Sequence, residues 1–316
     1  LAGTNFLSSG LVVNFSQAAD SINANVTVTP SSQTAATVAV PSSVYSNVTA
    51  GNVVSVKVTN SDGAESGVIN VTSVALPSGG SVTTSGSYRI HSFTSNGTFV
   101  NTIANVSIEY LVIAGGGGGG GAGGGGGAGG YRTNVTGQSS GASSSTEAAV
   151  TFPAASYTIT VGAGGAAGAD SIGGNGGTSS ISGTGITDIT TVGGGGGGSY
   201  TDSPYSPGDG GSAGGQAASN GSAASATANQ GTTGGQGTGG TAGGTTGGGG
   251  GGAGTAGSNS ATSPRKGGAG GNGLSNNITG SAVTRAGGGG GAVSYTHLRA
   301  HETPEHRVWR RGREKK

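Results

Sequence analysis

The sequence Val106-Ser-Ile-Glu-Tyr-Leu-Val-Ile-Ala114 runs directly into seven glycines, Ala122 and five further glycines. Similar glycine runs return at 193–198, 247–252 and 287–291. Nine of the 75 glycines precede Gly115 and one follows Ala292, which leaves 65 glycines within 178 residues. The glycine runs are therefore the feature around which the rest of the chain is organised.

Two interpretations of these runs are open at the level of composition. Glycine loses more backbone entropy on ordering than any other residue and has no side chain to bury, which is typical of a flexible linker. Alternatively, backbones without Cβ atoms approach one another closely enough to hydrogen-bond sideways, as ordered, packed polyglycine-type helices with three residues per turn. The strict Gly-X-Y period of collagen is absent.

The interruptions between the runs favour the ordered interpretation. Tyr157-Thr-Ile-Thr-Val161 is followed by Gly-Ala-Gly-Gly, and Ile186-Thr-Asp-Ile-Thr-Thr-Val192 is followed by six glycines. A linker has no reason to contain apolar, strand-like stretches that each lead directly into a glycine segment. We therefore expect short strands that anchor ordered glycine segments.

Composition and charge exclude several classes of protein. The chain has no Cys, so disulfides and thiolate metal sites are excluded, and no run of apolar residues is long enough for a membrane span. It also has no Met, from which we expect that it begins inside a longer protein. Residues 293–316 hold seven of the 13 Lys and Arg residues and three of the 12 Asp and Glu residues. The remainder has six basic and nine acidic residues and no basic stripe, so nucleic-acid binding is not expected.

Residues 1–75 predict a small β-sandwich. Asn60-Ser-Asp-Gly63 is a strong hairpin signal, and the Val/Thr/Ile alternation predicts strands at 11–15, 25–29, 37–40, 53–59 and 68–74. Gly3-Thr-Asn-Phe6, Val13-Asn-Phe15, Val40-Pro41 and the Val56–Gly63 stretch resemble an IPT/TIG domain, which has an immunoglobulin-like fold. The resemblance implies a spacer or binding module, in which Phe6, Phe15 and Tyr45 belong to the core or its rim.

Residues 76–80 form a short predicted linker, and residues 81–292 form the predicted glycine-rich domain. Its first part, 81–114, is expected to be a small anchoring sheet, and 115–292 to be glycine segments and loops. Tyr88-Arg-Ile-His-Ser-Phe93, Tyr110-Leu-Val-Ile-Ala, Gly129-Gly-Tyr-Arg132 and Gly173-Gly-Asn-Gly-Gly-Thr-Ser179 resemble the glycine-rich domains of phage tail-fibre proteins and tail-tip adhesins. That resemblance implies packed polyglycine helices with variable loops at one end that touch the host surface. The predicted fold class is mostly β, with a sandwich followed by this domain.

The segment 293–316 has a different composition, with three of the four His residues and the only Trp. Its start, Ser294-Tyr-Thr-His-Leu-Arg-Ala-His-Glu302, is similar to a translated sequencing adapter, so we expect a non-native tail. His297 and His301 have the i, i+4 spacing of zinc ligands, but the adapter origin explains the same residues. No metal site and no cofactor is predicted.

The patterns that suggest catalysis are weak. Gly210-Gly-Ser-Ala-Gly214 matches a nucleophile elbow, but it lacks the preceding strand, the following helix and a histidine partner. Asp202 and Asp209 are two carboxylates in one loop, without the rigid frame that a glycosidase pair needs. The sequence therefore predicts no enzyme.

Three polar clusters between glycine runs are the candidate contact residues, because tyrosine and arginine concentrate binding energy and loops on a rigid frame carry recognition. The alternative is that they are solvated turns whose rings cover the glycine layers, which the resemblance suggests for the Tyr-Arg pair. The candidates are Tyr131 and Arg132; Tyr200, Asp202, Tyr205 and Asp209; and Arg265 and Lys266.

These observations predict non-enzymatic recognition of a host surface by part of a phage tail fibre or tail-tip adhesin. The expected location is the virion. The expected partners are a bacterial outer-membrane protein or surface glycan and other tail-fibre subunits, without nucleic acid and without membrane insertion. The alternative is a structural or adhesive component of a secreted bacterial surface protein, located outside the cell or on its surface.

Overall fold

The computed structural model describes residues 2–200, 206–218, 222–239 and 245–293. This part of the chain is 32% strand and 3% helix, so the expectation of a mostly β chain is confirmed. The chain divides into two compact units. The first contains residues 1–78, 100–106 and 152–156, and the second contains residues 79–99, 107–151 and 157–316. The predicted linker, 76–80, includes the point where the first unit gives way to the second.

The first unit contains a four-stranded antiparallel sheet in the order β2-β1-β3-β4. Its elements are β1 (Leu11–Gln17), β2 (Ile22–Val28), a four-residue helix α1 (Ser42–Tyr45), β3 (Val53–Thr59) and β4 (Ile69–Thr72). Side chains alternate along β1, so that Leu11, Val13 and Phe15 are buried and their neighbours half-buried. This period of two places an apolar core on one side of the sheet.

The layer over that core differs from the predicted sandwich. Phe6, Ala36 and Val44 are buried there, and Val38 and Val48 pack against them. These residues belong to α1 and to irregular segments, so within the described residues 2–78 a second sheet does not face the first. The predicted strand at 37–40 is wrong, because these residues have no strand pairing. Tyr45 is 58% exposed at the end of α1, so it lies at most at the rim of the core.

Short strands make up the regular structure of the second unit and its boundary with the first. The largest sheet has the order β14-β13-β12-β7, and the pairs are β5-β6, β8-β11, β9-β10, β15-β16 and β17-β18. The strands are β5 (Ser81–Ser85), β6 (Tyr88–Ser92), β7 (Gly97–Asn101), β8 (Val106–Ile108), β9 (Leu111–Ile113), β10 (Tyr131–Thr133), β11 (Val150–Phe152), β12 (Ala155–Thr160), β13 (Ser179–Gly183), β14 (Ile189–Thr191), β15 (Ala261–Thr262), β16 (Arg265–Lys266), β17 (Leu274–Asn276) and β18 (Val283–Arg285). The predicted apolar stretches at 106–113, 157–161 and 186–192 thus each contain a strand, although 106–113 is divided into β8 and β9.

The predicted glycine-rich domain of packed helices is wrong. In the described residues the only α-helix is α1, and one 3-10 turn lies at Gly141–Ser143. The physical reason lies in the hydrogen bonds. The glycine amides bond sideways to carbonyls of neighbouring segments, as expected, but the described glycine segments are not built on the within-segment bonds of an α- or 3-10 helix. The glycine segments are extended chains that lie side by side.

Candidate functional site

The extended glycine segments between residues 115 and 292 form one hydrogen-bonded body, here called the glycine frame. Within residues 115–121, the amides of Gly115, Gly118 and Gly121 donate to one neighbour, residues 171–177, at 3.0, 2.9 and 2.9 Å. The amides of Gly117 and Gly120 donate to a different neighbour, residues 123–130. Every third amide therefore points to the same neighbour, which lets one segment bond to several others at once.

Close approach of the backbones explains why the frame is made of glycine. A Cβ atom at Gly117 would lie 2.1 Å from the carbonyl oxygen of Gly195, and one at Gly197 would lie 2.0 Å from that of Gly124. Neither distance is possible between non-bonded atoms, so a side chain at these positions would push two segments apart. The inter-segment hydrogen bonds offset the entropy that the glycines lose on ordering.

The directions of the segments show which loops share an end of the frame. Residues 115–121 run towards a turn at Ala122, which has a φ of 46°. Gly194 and Gly197 donate to Gly115 and Gly118, so residues 193–198 run the same way. The chain therefore leaves residue 198 beside Ala122, and the amide of Tyr200 lies 3.4 Å from the carbonyl oxygen of Gly121. We call this end the loop end.

The hairpin β15-β16 also lies at the loop end. Ala292 donates to Gly123, Gly247 donates to Ala292, and Gly268 donates to Gly247, each at 2.8 or 2.9 Å. These bonds place residue 268 at the level of the Ala122 turn. Arg265 and Lys266 directly precede that point, and they are half-buried and exposed, respectively. Two of the predicted contact clusters, which are 65 residues apart in the sequence, therefore share one end of the frame.

Tyr131 and Arg132 lie at the opposite end, called here the anchor end. They belong to β10, whose partner β9 precedes residues 115–121, and Tyr131 pairs with Ile113. Tyr131 is fully buried, so its side chain offers no contact surface. This position agrees with the structural role that the sequence left open for the Tyr-Arg pair.

Arg132 forms a partly buried ion pair with Glu147. Its Nε and Nη2 atoms donate to the two carboxylate oxygens of Glu147, each at 2.7 Å, and the Tyr110 hydroxyl donates to Oε2 of the same carboxylate at 2.6 Å. Burial raises the pKa of Glu147, but the hydrogen bonds from Arg132 and Tyr110 outweigh burial and leave its pKa below the ordinary value. Burial and the nearby carboxylate raise the pKa of Tyr110. The arrangement fastens Glu147 to β10 and to Tyr110, the residue before β9.

Asp209 is exposed but does not lie at the tip of the loop end. Gly208 donates to Gly196 and Gly211 to Gly193, so Asp209 lies part-way along the frame. Its carboxylate accepts a hydrogen bond from the amide of Ser225 at 2.6 Å. Asp209 thus caps a neighbouring segment. Asp202 and Tyr205 lie outside the described residues, whereas Tyr200 is 46% exposed beside them in the sequence.

The sequence analysis missed a cluster of hydroxyl groups near the loop end. The hydroxyls of Thr238, Thr246 and Ser260 lie 2.7 to 3.0 Å from one another, and Thr246 and Ser260 are buried. Their hydrogen bonds join three segments of the chain beside the start of the glycine run at 247–252. A signal in the sequence is that Thr246 directly precedes the glycine run at 247–252 and that Thr238 stands between two glycines.

Two further classes of site find no support in the part of the chain that the structure describes. No three His, Asp or Glu side chains there come together in a way that could hold a metal ion. None of the described helices has the length and apolar character needed to cross a membrane. His297 and His301 lie outside the described residues.

A family model described as a glycine-rich domain matches residues 94–306. The chain belongs to this glycine-rich domain family. The match covers more than half of the chain and contains the whole glycine frame together with the strands of its anchor end. No curated protein and no solved structure matches the chain. The prediction that the chain contains a glycine-rich domain is therefore confirmed.

Proposed function

We propose that this glycine-rich domain protein recognises a host surface without catalysis, as part of a phage tail fibre or tail-tip adhesin. The observation that carries the proposal is that Tyr200 and the Arg265–Lys266 hairpin share one end of the hydrogen-bonded glycine frame. A rigid frame holds such loops in place, so little entropy is lost when they bind a partner.

The chemistry of the loop end suits a bacterial outer-membrane protein or surface glycan. The exposed ring of Tyr200 offers a flat apolar face with a hydroxyl, and Arg265 and Lys266 add positive charge. Tyrosine and arginine are the residues that most often dominate binding energy at protein surfaces. Anionic groups on the host surface are the matching partners for the two cations.

We further propose that residues 1–75 are an IPT/TIG-like spacer. The support is a four-stranded antiparallel sheet with one apolar side, and a hairpin turn at Asn60–Gly63 where Gly63 has a φ of 85°. A spacer of this kind needs no binding residues of its own.

The test is binding of the whole protein to cells of candidate bacterial hosts. We expect the double variant R265A/K266A and the variant Y200A to weaken cell binding by about tenfold or more each, as for anchor residues at interfaces. The matched control is R285A, which removes a cation from β18 at the anchor end and should leave binding unchanged.

Equal binding by the loop-end variants and the wild type would overturn the proposal for these residues. A folded protein that binds no candidate host would instead favour the alternative, a structural or adhesive component of a secreted bacterial surface protein. Loss of host polysaccharide during incubation would point to an enzyme.

A further inference from the structure

The central segment of the glycine frame, residues 123–130, has hydrogen-bond donors that the frame does not use. Gly124 and Gly127 donate to residues 193–198, and Gly125 and Ala128 donate to residues 247–252. Within the described residues, the amides of Gly126 and Gly129 donate to no acceptor, although both residues are buried. Buried backbone N–H groups without an acceptor are rare in folded proteins, so these two need an explanation.

The two donors repeat every third residue, as do the donors that bond the frame together. Five neighbouring segments surround residues 123–130, namely 115–121, 193–198, 211–216, 247–252 and 287–292. Amides three residues apart point in the same direction. The amides of Gly126 and Gly129 therefore point to the same side of the segment, where none of these five segments offers an acceptor. We call the strip between residues 115–121 and 287–292 on that side the open groove.

The walls of the open groove are also bare. A Cβ atom at Gly116 or Gly119 would meet no atom closer than 3.7 or 3.8 Å, and those nearest atoms are carbonyl oxygens of residues 123–130. A Cβ atom at Gly289 would lie 3.2 Å from the nitrogen of Gly126, so this glycine also faces the strip. All three glycines are exposed.

Nothing within the described frame requires glycine at positions 116 and 119. On another exposed edge, residues at the same spacing of three are alanine: Ala163, Ala166 and Ala169. Glycine costs more entropy than alanine on ordering, so its use beside the open groove indicates close approach of another backbone.

We propose that the open groove binds an extended glycine-rich segment of a second copy of this chain. In such a segment every third carbonyl points to the same side, which matches the spacing of Gly126 and Gly129. Its lack of side chains lets it lie between the bare walls. The second copy is the natural source, because the chain itself supplies segments of this chemistry. This inference rests on the frame and not on the proposed function.

The first test compares the association of the whole protein with that of G116A/G119A by analytical ultracentrifugation over a wide dilution series. We expect the wild type to self-associate reversibly. The dissociation constant of the double variant should be at least about tenfold higher, because two methyl groups obstruct the groove. The thermal midpoint of the variant should not fall, since both methyl groups find room in the isolated fold. The control is G67A, an exposed glycine outside the frame with no atom within 4 Å of an added Cβ.

The second test follows individual amides by hydrogen exchange at low and high protein concentration. Gly126 and Gly129 should become protected as the concentration rises, whereas Gly124 should be protected at both concentrations. Any of three outcomes would overturn the proposal. The wild type stays monomeric, the G116A/G119A variant associates as strongly as the wild type, or the exchange rates of the amides at 126 and 129 do not depend on protein concentration. The last outcome would mean that solvent alone satisfies the two donors.

Discussion

At the scale of single residues, the partly buried carboxylate of Glu147 is the most connected charged group described. It holds both Arg132 and Tyr110, so its removal leaves a guanidinium and a hydroxyl without their acceptor. We expect E147Q to lower the free energy of unfolding by about 2–4 kcal/mol, because a partly buried charge then lacks its partner. Chemical denaturation followed by circular dichroism measures this.

The control for that substitution is the ion pair between Lys57 and Glu65. Its side chains are 37% and 52% exposed, so water screens the pair. We expect E65Q to change stability by less than about 1 kcal/mol. Equal losses in E147Q and E65Q would show that burial of the Glu147 cluster contributes nothing.

The same carboxylate predicts a dependence of stability on pH. Because its pKa in the folded chain is lowered, its contribution is fully present above the ordinary pKa of 4.5 and is lost as the pH falls through the lower, folded value. The unfolding midpoint of the wild type should therefore fall on acidification below that pH more steeply than the midpoint of E147Q. Parallel curves for the two proteins would contradict this assignment.

At the scale of elements, the glycine segments differ from strands in what a methyl group does to them. A Cβ at Gly197 would lie 2.0 Å from a backbone oxygen, whereas the nearest atom to one at Gly164 is 3.8 Å away. We expect G197A to lower the free energy of unfolding by about 3 kcal/mol or more, the upper range for overpacking. G164A should leave stability unchanged or raise it by about 0.4–1 kcal/mol through the unfolded state.

Thermal unfolding of the two alanine variants gives the comparison directly. They carry the same chemical change in the same frame, so differences in composition cannot explain a difference in midpoint. If G197A unfolds at the same temperature as the wild type, the close backbone approach between residues 193–198 and 123–130 does not exist in solution.

At the scale of the whole molecule, the glycine frame should behave as a solid body. Its amides donate to neighbouring segments at 2.7 to 3.4 Å, and many of its residues are buried. We expect the amides of Gly124, Gly127 and Gly195 to exchange with solvent at least about a thousandfold more slowly than in an unfolded chain. Exchange at unfolded rates throughout residues 115–292 would restore the linker interpretation.

Much of this architecture could be predicted from the sequence, and the failures have physical causes. The strands before the glycine segments that begin at 115, 162 and 193 were predictable, because apolar alternation leading into glycine has no role in a linker. The conformation of the glycine segments could not be predicted, since glycine has no side-chain pattern that distinguishes helical from extended chains. Only the hydrogen-bond partner of each amide distinguishes the two conformations. The strand at 37–40 failed because Val/Thr alternation also suits an irregular segment over an apolar core.

The candidate site was predictable in part for the same reason. Tyr200, Arg265 and Lys266 interrupt glycine-rich sequence, and that interruption alone marks them as loop residues. Their common location could not be predicted, because it depends on which segments run parallel. Asp209 shows the limit, since a polar residue beside a glycine run caps a segment as readily as it forms a loop.

The repeat of three in the amide directions makes the frame sensitive to counting. Adding one residue inside a segment would turn every later amide towards a different neighbour, whereas adding three would restore each direction one step further along. Changes in length between relatives should therefore come in multiples of three inside the segments and in any number at the loop end. Three residues are therefore the unit of length by which a glycine segment can grow or shrink while its amides keep their neighbours.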